Sequence, residues 1–128
     1  MKAMLDTHCF LWAIANDPRL SRTARRIIKD PNSDLYLSAA SAWEIAIKTR
    51  LGRLRFSEDV QRFIPAQMAR NRITELPVLI RHSLAVADLP LHHRDPFDRL
   101  LVAQARIEDL TLLSADPAMR LYDVRVVW

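Results

Sequence analysis

Four acidic residues stand where a short apolar run gives way to a helix-like stretch. Met1-Lys-Ala-Met-Leu5 runs into Asp6, and Leu35-Tyr-Leu-Ser38 runs into a stretch carrying Glu44. Leu110-Thr-Leu-Leu-Ser114 runs into Ala115-Asp116, and Asp95-Pro96-Phe97-Asp98 has the form of a helix start. Apolar strands of a parallel sheet read this way, with charge displaced to the carboxyl-end edge where open α/β folds place their sites. Several carboxylates on one edge repel one another unless a hard cation holds them together. That pattern points to a metal-dependent hydrolase holding its ion on Asp6, Glu44, Asp98 and Asp116. Oxygen ligation selects Mg2+ or Mn2+ over Zn2+. His8, His82, His92 and His93 show no metal-type spacing. The adjacent pair His92-His93 is read as unable to point into one site, His82 as a helix-surface residue, and His8 as turned away from Asp6.

Each acid also has a purely local reading. Asp6 would cap the helix that follows it. Glu44 would close a capping box with Ser41. If Ser38 is the cap instead, Glu44 lies in the second helical turn, sharing a face with Ser41 and Lys48. Lys48 would then either form an ordinary surface pair or neutralise clustered carboxylates and touch a phosphate. Asp-Pro occurs four times, at Asp17, Asp30, Asp95 and Asp116, as a recurring turn or helix-start device. Asp95 is therefore expected to be a cap with Pro96 at the first helical position. Asp98 then projects from the third position, while Phe97, Leu100 and Leu101 pack inward. Asp116 could be a cap alone. Arg99 would meet either a scissile phosphate or a neighbouring acid. Thr7, Ser41 and Ser114 would form a hydroxyl network orienting ligands or water.

The elements that must carry these residues alternate. Strands are expected at about 2–6, 34–38, 72–76, 110–114 and 124–127, separated by helical patterns. Ser21 opens a helix with Ala24, Ile27 and Ile28 on one face and Arg22, Arg25, Arg26 and Lys29 on the other. That basic face reads first as a solvated surface and second as an RNA contact. Ser57 is read as the cap of a further helix, with Glu58 and Asp59 as first-turn acids, and that helix should kink or end near Ile64, because Pro65 follows. The architecture implied is a three-layer α/β/α sandwich with a central, mainly parallel sheet of four to five strands, in one domain spanning 1–128.

Four segments in order give a family resemblance: Leu5-Asp6-Thr7; Ser38-Ala-Ala-Ser41-Ala-Trp43-Glu44-Ile45 with Lys48; Leu89-Pro90-Leu-His-His93-Arg-Asp95-Pro96-Phe97-Asp98-Arg99-Leu-Leu; and Ser114-Ala-Asp116. With these the chain resembles the PIN-domain ribonucleases, and among them the VapC-type toxins of type II toxin–antitoxin pairs. The Asp95–Leu101 run is the most specific part. Ser114 stands where the family often has Thr, and it keeps a hydroxyl. The resemblance implies an endoribonuclease, RNA as substrate, a homodimer and inhibition by a VapB-type antitoxin. A helix of that antitoxin would lie in an apolar groove near Phe10-Leu11-Trp12.

Composition narrows the field. At 128 residues, half of them apolar, the chain can build a sizeable core. Its single glycine, Gly52, removes phosphate-cradling loops, which need several. The lone Cys9 excludes an internal disulfide and suits a reducing compartment, so a cytoplasmic protein with no membrane span is expected. Lys2 and Phe10–Ala15 imitate a signal peptide, but Asp6 and His8 interrupt it. Net charge is +4, and the basic residues other than Lys2, Lys29 and Lys48 are all Arg, which suits an anionic partner. Among the alternatives, a signalling receiver wants adjacent acids after its first strand, and here Leu5 precedes Asp6. A phosphoaspartate hydrolase wants Asp-x-Asp, and position 8 is His8. A catalytically silent RNA- or partner-binding module remains open.

Overall fold

The computed structural model describes residues 1–128. Five strands form one sheet: β1 (Lys2–Leu5), β2 (Asp34–Ser38), β3 (Ile73–Leu76), β4 (Thr111–Leu113) and β5 (Val126–Val127). Their order is β3-β2-β1-β4-β5, and every pairing is parallel. Six helices connect and cover them: α1 (Thr7–Ile14), α2 (Arg22–Lys29), α3 (Ala39–Arg50), α4 (Val60–Arg70), α5 (Ile80–Ala85) and α6 (Pro96–Glu108). The strands lie within about two residues of the expected positions, and the sheet is parallel throughout rather than mainly so.

Side-chain alternation along the strands divides the core into two layers. Ala3 and Leu5 of β1, Leu35 and Leu37 of β2, and Leu113 of β4 face one way, onto Phe10, Ala24 and Ile64 of α1, α2 and α4. Met4 and Leu112 face the other way, onto Leu101, Val102 and Ala105 of α6. Each fully buried Leu or Phe of these layers contributes about 2 kcal/mol by leaving water. Sequence neighbours β1 and β2 pair on one side, and the chain then crosses to place β4 on the other side of β1. The carboxyl ends of β1 and β4 therefore flank a reversal of strand order, the crevice where open α/β sheets bind ligands.

Three local expectations are corrected. The fourth helix is capped by Asp59, whose carboxylate accepts from the Gln61 N–H, and not by Ser57. It also runs through Pro65 to Arg70. Ile64 is buried, and Val60, Phe63 and Met68 pack around it on the same core layer, which holds the helix together across the missing N–H. His82 is buried rather than on the helix surface. Its Nδ1 accepts from the Leu79 N–H, and its Nε2 points towards Glu108 of α6 at 3.8 Å.

Candidate metal centre

The first acid closes β1. Asp6 donates its backbone N–H to the Leu113 carbonyl of β4 at 3.0 Å, which fixes it at the strand-order reversal. Its carboxylate accepts from the Cys9 N–H at 2.8 Å, so the cap reading is correct as far as it goes. The same side chain is buried and meets the Ser114 hydroxyl and the field of Asp116. Burial raises its pKa, against the lowering effects of the Ser114 and Cys9 hydrogen bonds.

Ser38 ends β2 and caps α3, accepting from the Ala40 N–H. Its hydroxyl donates to Gln104 Oε1 of α6 at 2.5 Å, and Gln104 Nε2 holds the Pro77 carbonyl, so a buried amide in the core sets the direction of α3. Ser41 does not form a capping box with Glu44: its Oγ accepts from Thr7 Oγ1 at 2.9 Å, tying α3 to the start of α1. Glu44 lies in the second turn and is 5% exposed. Lys48 Nζ reaches Glu44 Oε2 at 2.7 Å, whereas Glu44 Oε1 is buried without a hydrogen-bond partner. A carboxylate oxygen left in that condition is costly unless something absent from the chain completes it.

Asp95 caps α6, accepting from the Phe97 and Asp98 N–H groups, with Pro96 at the first position. Asp98 projects from the third position. Burial first, then the charges of Asp95, Asp6 and Glu44, push its pKa up to about 7, against the lowering effect of His93. Asp116 caps a short 3-10 turn (Pro117–Leu121) through the Ala118 N–H at 2.9 Å, and its own N–H donates to Ser114 Oγ. Ser114 thus joins the β4 end to both Asp6 and Asp116. The expected hydroxyl network exists as two separate pairs of contacts, Thr7 with Ser41 and Ser114 with the acids.

Of the neighbouring basic residues, one enters the site unanticipated and one is committed to a loop. His93 enters the site, with Nε2 2.7 Å from Asp116 Oδ2 and 3.1 Å from Asp98 Oδ2. One atom from each of His93, Asp98 and Asp116 lies within 4.8 Å of the others. The two rings part company: His92 packs edge-on against Tyr122, and His93 faces the acids. The usable signal was the spacing of His93 two residues before the Asp95 cap. Arg99 pairs with no neighbouring acid; its guanidinium donates to the carbonyls of Val86, Leu89 and Pro90 and to Tyr122 Oη. His8 stacks against Trp12 at the margin, where its charge still lowers the Asp6 pKa.

A shallow hollow of about 230 Å3 opens beside Asp6 and Asp116. A larger one, about 830 Å3, lies at the opposite end of the strands among Lys2, Arg106, Asp109 and Arg125. Size favours the second, but the convergent acids and the orphaned oxygen are at the first.

The sequence matches the family described as PIN domain over residues 3–125. The chain belongs to the PIN domain family. Ribonuclease VapC16 of Mycobacterium tuberculosis (strain ATCC 25618 / H37Rv) is 41% identical to this PIN domain over 70 residues, which are 52% of this chain and 50% of that protein. The match thus spans about half the length of that curated relative. Among solved structures, VapBC2 from Rickettsia felis, bound to a DNA fragment from their promoter, superposes with a TM-score of 0.73 at 16% identity, covering 99% of this chain and 98% of that one. VapBC-1 from nontypeable Haemophilus influenzae gives 0.67 at 21% identity, covering 99% and 97%. FitAcB from Neisseria gonorrhoeae gives 0.65 at 19%, covering 98% and 96%. At these identities the superpositions speak for the fold. Membership of this family removes the receiver and phosphoaspartate-hydrolase alternatives.

Proposed function

We propose that this PIN domain is a metal-dependent endoribonuclease, the toxin of a toxin–antitoxin pair. The observation that carries the reading is the gathering of acids at the β1/β4 reversal together with the buried, partnerless Glu44 Oε1. A divalent cation fits what the residues lack. It would offer Glu44 Oε1 a partner and offset the burial and the neighbouring carboxylate charge that raise Asp98. Asp6, Glu44, Asp98 and Asp116 would hold it, and Mg2+ or Mn2+ suits their oxygen set. When bound, such an ion polarises a phosphodiester and makes a water acidic enough to attack it. The chain's own contribution is positioning. Cys9 N–H and Ser114 Oγ orient Asp6. Lys48 balances Glu44, and the Ser38–Gln104 contact aims the helix that carries it. Arg99 spends its guanidinium on loop carbonyls and on Tyr122.

Three further features support the name of the relative and the complexes among the neighbours. An apolar hollow of about 410 Å3, formed by Leu11, Trp12, Ile14, Phe56 and Phe63, is rimmed by Arg19, Lys48 and Arg55. It suits an antitoxin segment with apolar anchors and acidic flanks. Phe10, fully buried, and α2 lie outside its lining, which shifts the expected groove towards α4. Along α3 and the Leu51 that ends it, Trp43, Ile47 and Leu51 form an exposed stripe that a second copy would cover. No helix is long and apolar enough to cross a membrane, and the buried thiol of Cys9 fits the cytoplasm.

Purified protein should cut single-stranded or loop RNA in Mg2+ or Mn2+ and stop when the ion is chelated. Asp6→Asn and Asp98→Asn should each lose about 100-fold or more, corresponding to ~3 kcal/mol in the barrier. Cleavage that continues in excess chelator refutes the mechanism. Expression alone should arrest growth, and co-expression of the neighbouring small reading frame should restore it.

A further inference from the structure

We propose that His93 is a positioning residue that clasps Asp98 to Asp116 through its Nε2–H, making the outermost carboxylate part of the cation site without itself being a ligand. This rests on the cation-site reading above and adds a residue to it.

The ring nitrogens have distinct partners. Nδ1 lies 3.1 Å from the backbone N–H of Asp95. That group can only donate, so Nδ1 presents its lone pair and carries no proton. The imidazole proton is therefore on Nε2. Nε2 faces two carboxylate oxygens, Asp116 Oδ2 at 2.7 Å and Asp98 Oδ2 at 3.1 Å. A protonated Nε2 has no lone pair for a cation. His93 consequently acts from outside the oxygen set, which stays the set that favours Mg2+ and Mn2+.

Asp116 needs such a partner more than the other acids do. Its side chain is 36% exposed against 21% for Asp98 and 6% for Glu44. It hangs from the start of a 3-10 turn, and its other oxygen already serves the Ala118 N–H. The charge of Asp6 opposes its own. The Nε2–H is the contact that draws it in. The segment bearing the imidazole is fixed independently: the His93 backbone N–H donates to Tyr122 Oη at 2.8 Å, and Arg99 donates to the carbonyls of Leu89 and Pro90 and to the same Tyr122 Oη. A loop anchored at that many points presents the ring to the two acids in one orientation.

The test is a calorimetric titration of the purified protein with Mn2+. His93→Leu should weaken Mn2+ about 10- to 100-fold, the range typical for partners of metal-bound carboxylates. His93→Asn should do the same; it keeps an acceptor for the Asp95 N–H but is too short to reach Asp116, and it serves if the Leu variant fails to fold. His93→Gln, whose amide can donate at about the reach of Nε2, should recover most of the affinity. In an Asp116→Asn background, His93→Leu should change affinity by less than about 3-fold, since the acid through which it acts has already been removed. The proposal is overturned if Leu binds Mn2+ as tightly as wild type or more tightly, if Gln is no better than Leu, or if Leu costs as much with Asp116 replaced as without. Wild-type protein that takes up no Mn2+ overturns the cation site itself, and this inference with it. Protein that binds Mn2+ with the expected ranking yet cuts no RNA refutes only the nuclease reading.

Discussion

Asp98 and Asp95 sit three residues apart on one helix start and have opposite effects on stability. Asp95 is a cap, and Asp95→Ala should cost about 1 kcal/mol by leaving the Phe97 and Asp98 N–H groups without an acceptor. Asp98 is held against its own charge, its pKa raised from 3.8 to about 7 by burial and then by Asp95, Asp6 and Glu44. Between those two values the folded chain keeps a proton that the unfolded chain has lost. The stability due to that proton is complete below pH 3.8, falls as the pH rises, and is gone above about 7. Asp98→Asn removes this dependence. It should stabilise the metal-free protein at pH 8 by on the order of 1 kcal/mol, with the gain vanishing towards pH 4. Mg2+ should raise the melting temperature of wild type by linkage and that of the variant less. Melts across pH, with and without Mg2+, measure both effects. A destabilised variant that ignores pH and Mg2+ would show that the acids are separate caps sharing no field.

Among the connecting elements, the segment between α5 and α6 is tied down chiefly by Arg99, with Tyr122 beside it. Arg99 spans the carbonyls of Val86, Leu89 and Pro90 and the Tyr122 hydroxyl, an arrangement that needs the planar fork of a guanidinium. A single ammonium cannot reach four acceptors spread that widely, so Arg99→Lys should behave nearly as Arg99→Ala. Either change should cost about 1–3 kcal/mol, because hydrogen bonds from a charged donor are lost and carbonyls are left bare. Amide hydrogen exchange should speed up across residues 89–95 while β1 and β2 stay protected. Unchanged exchange in the Lys variant would show that the loop is held by its own packing. The Ser38–Gln104 contact is the equivalent device for α3, joining residues 66 apart in the chain.

At the scale of the whole molecule, the exposed stripe along α3 is an unpaired apolar face on the helix that carries Glu44. Trp43 is 63% exposed and Leu51 62%, and with Ile47 they recur every four residues on one side of the helix. Trp43 meets Phe97 edge-on, joining the stripe to the start of α6. A two-fold axis would bury the same face on both copies. Ile47→Glu with Leu51→Glu should convert a dimer to a monomer in sedimentation equilibrium and leave the fold intact, since neither side chain belongs to the buried core. A wild type that sediments as a monomer at micromolar concentration would remove the second copy from this face.

What the sequence determined by itself was local. An apolar run closed by an acid, a Ser or Asp before a helix, and Pro at the first helical position each depend on a few neighbouring residues. Asp6, Ser38, Asp95 and Asp98 therefore stand where reading along the chain puts them. The alternation of apolar strands and helical patterns likewise fixed a parallel three-layer architecture. Only the tertiary structure decided the rest, because it turns on groups distant in sequence and on the direction of side chains outside regular elements. Nothing local indicates that β4 pairs with β1 and so brings Ser114 and Asp116 against Asp6. Nor does it show that Arg99 closes a loop, that His82 is buried against Glu108, or that packing carries α4 through Pro65. His93 is the clearest instance. Its neighbour His92 has the same chemistry, and the course of an irregular loop aims one ring at Tyr122 and the other at Asp98 and Asp116.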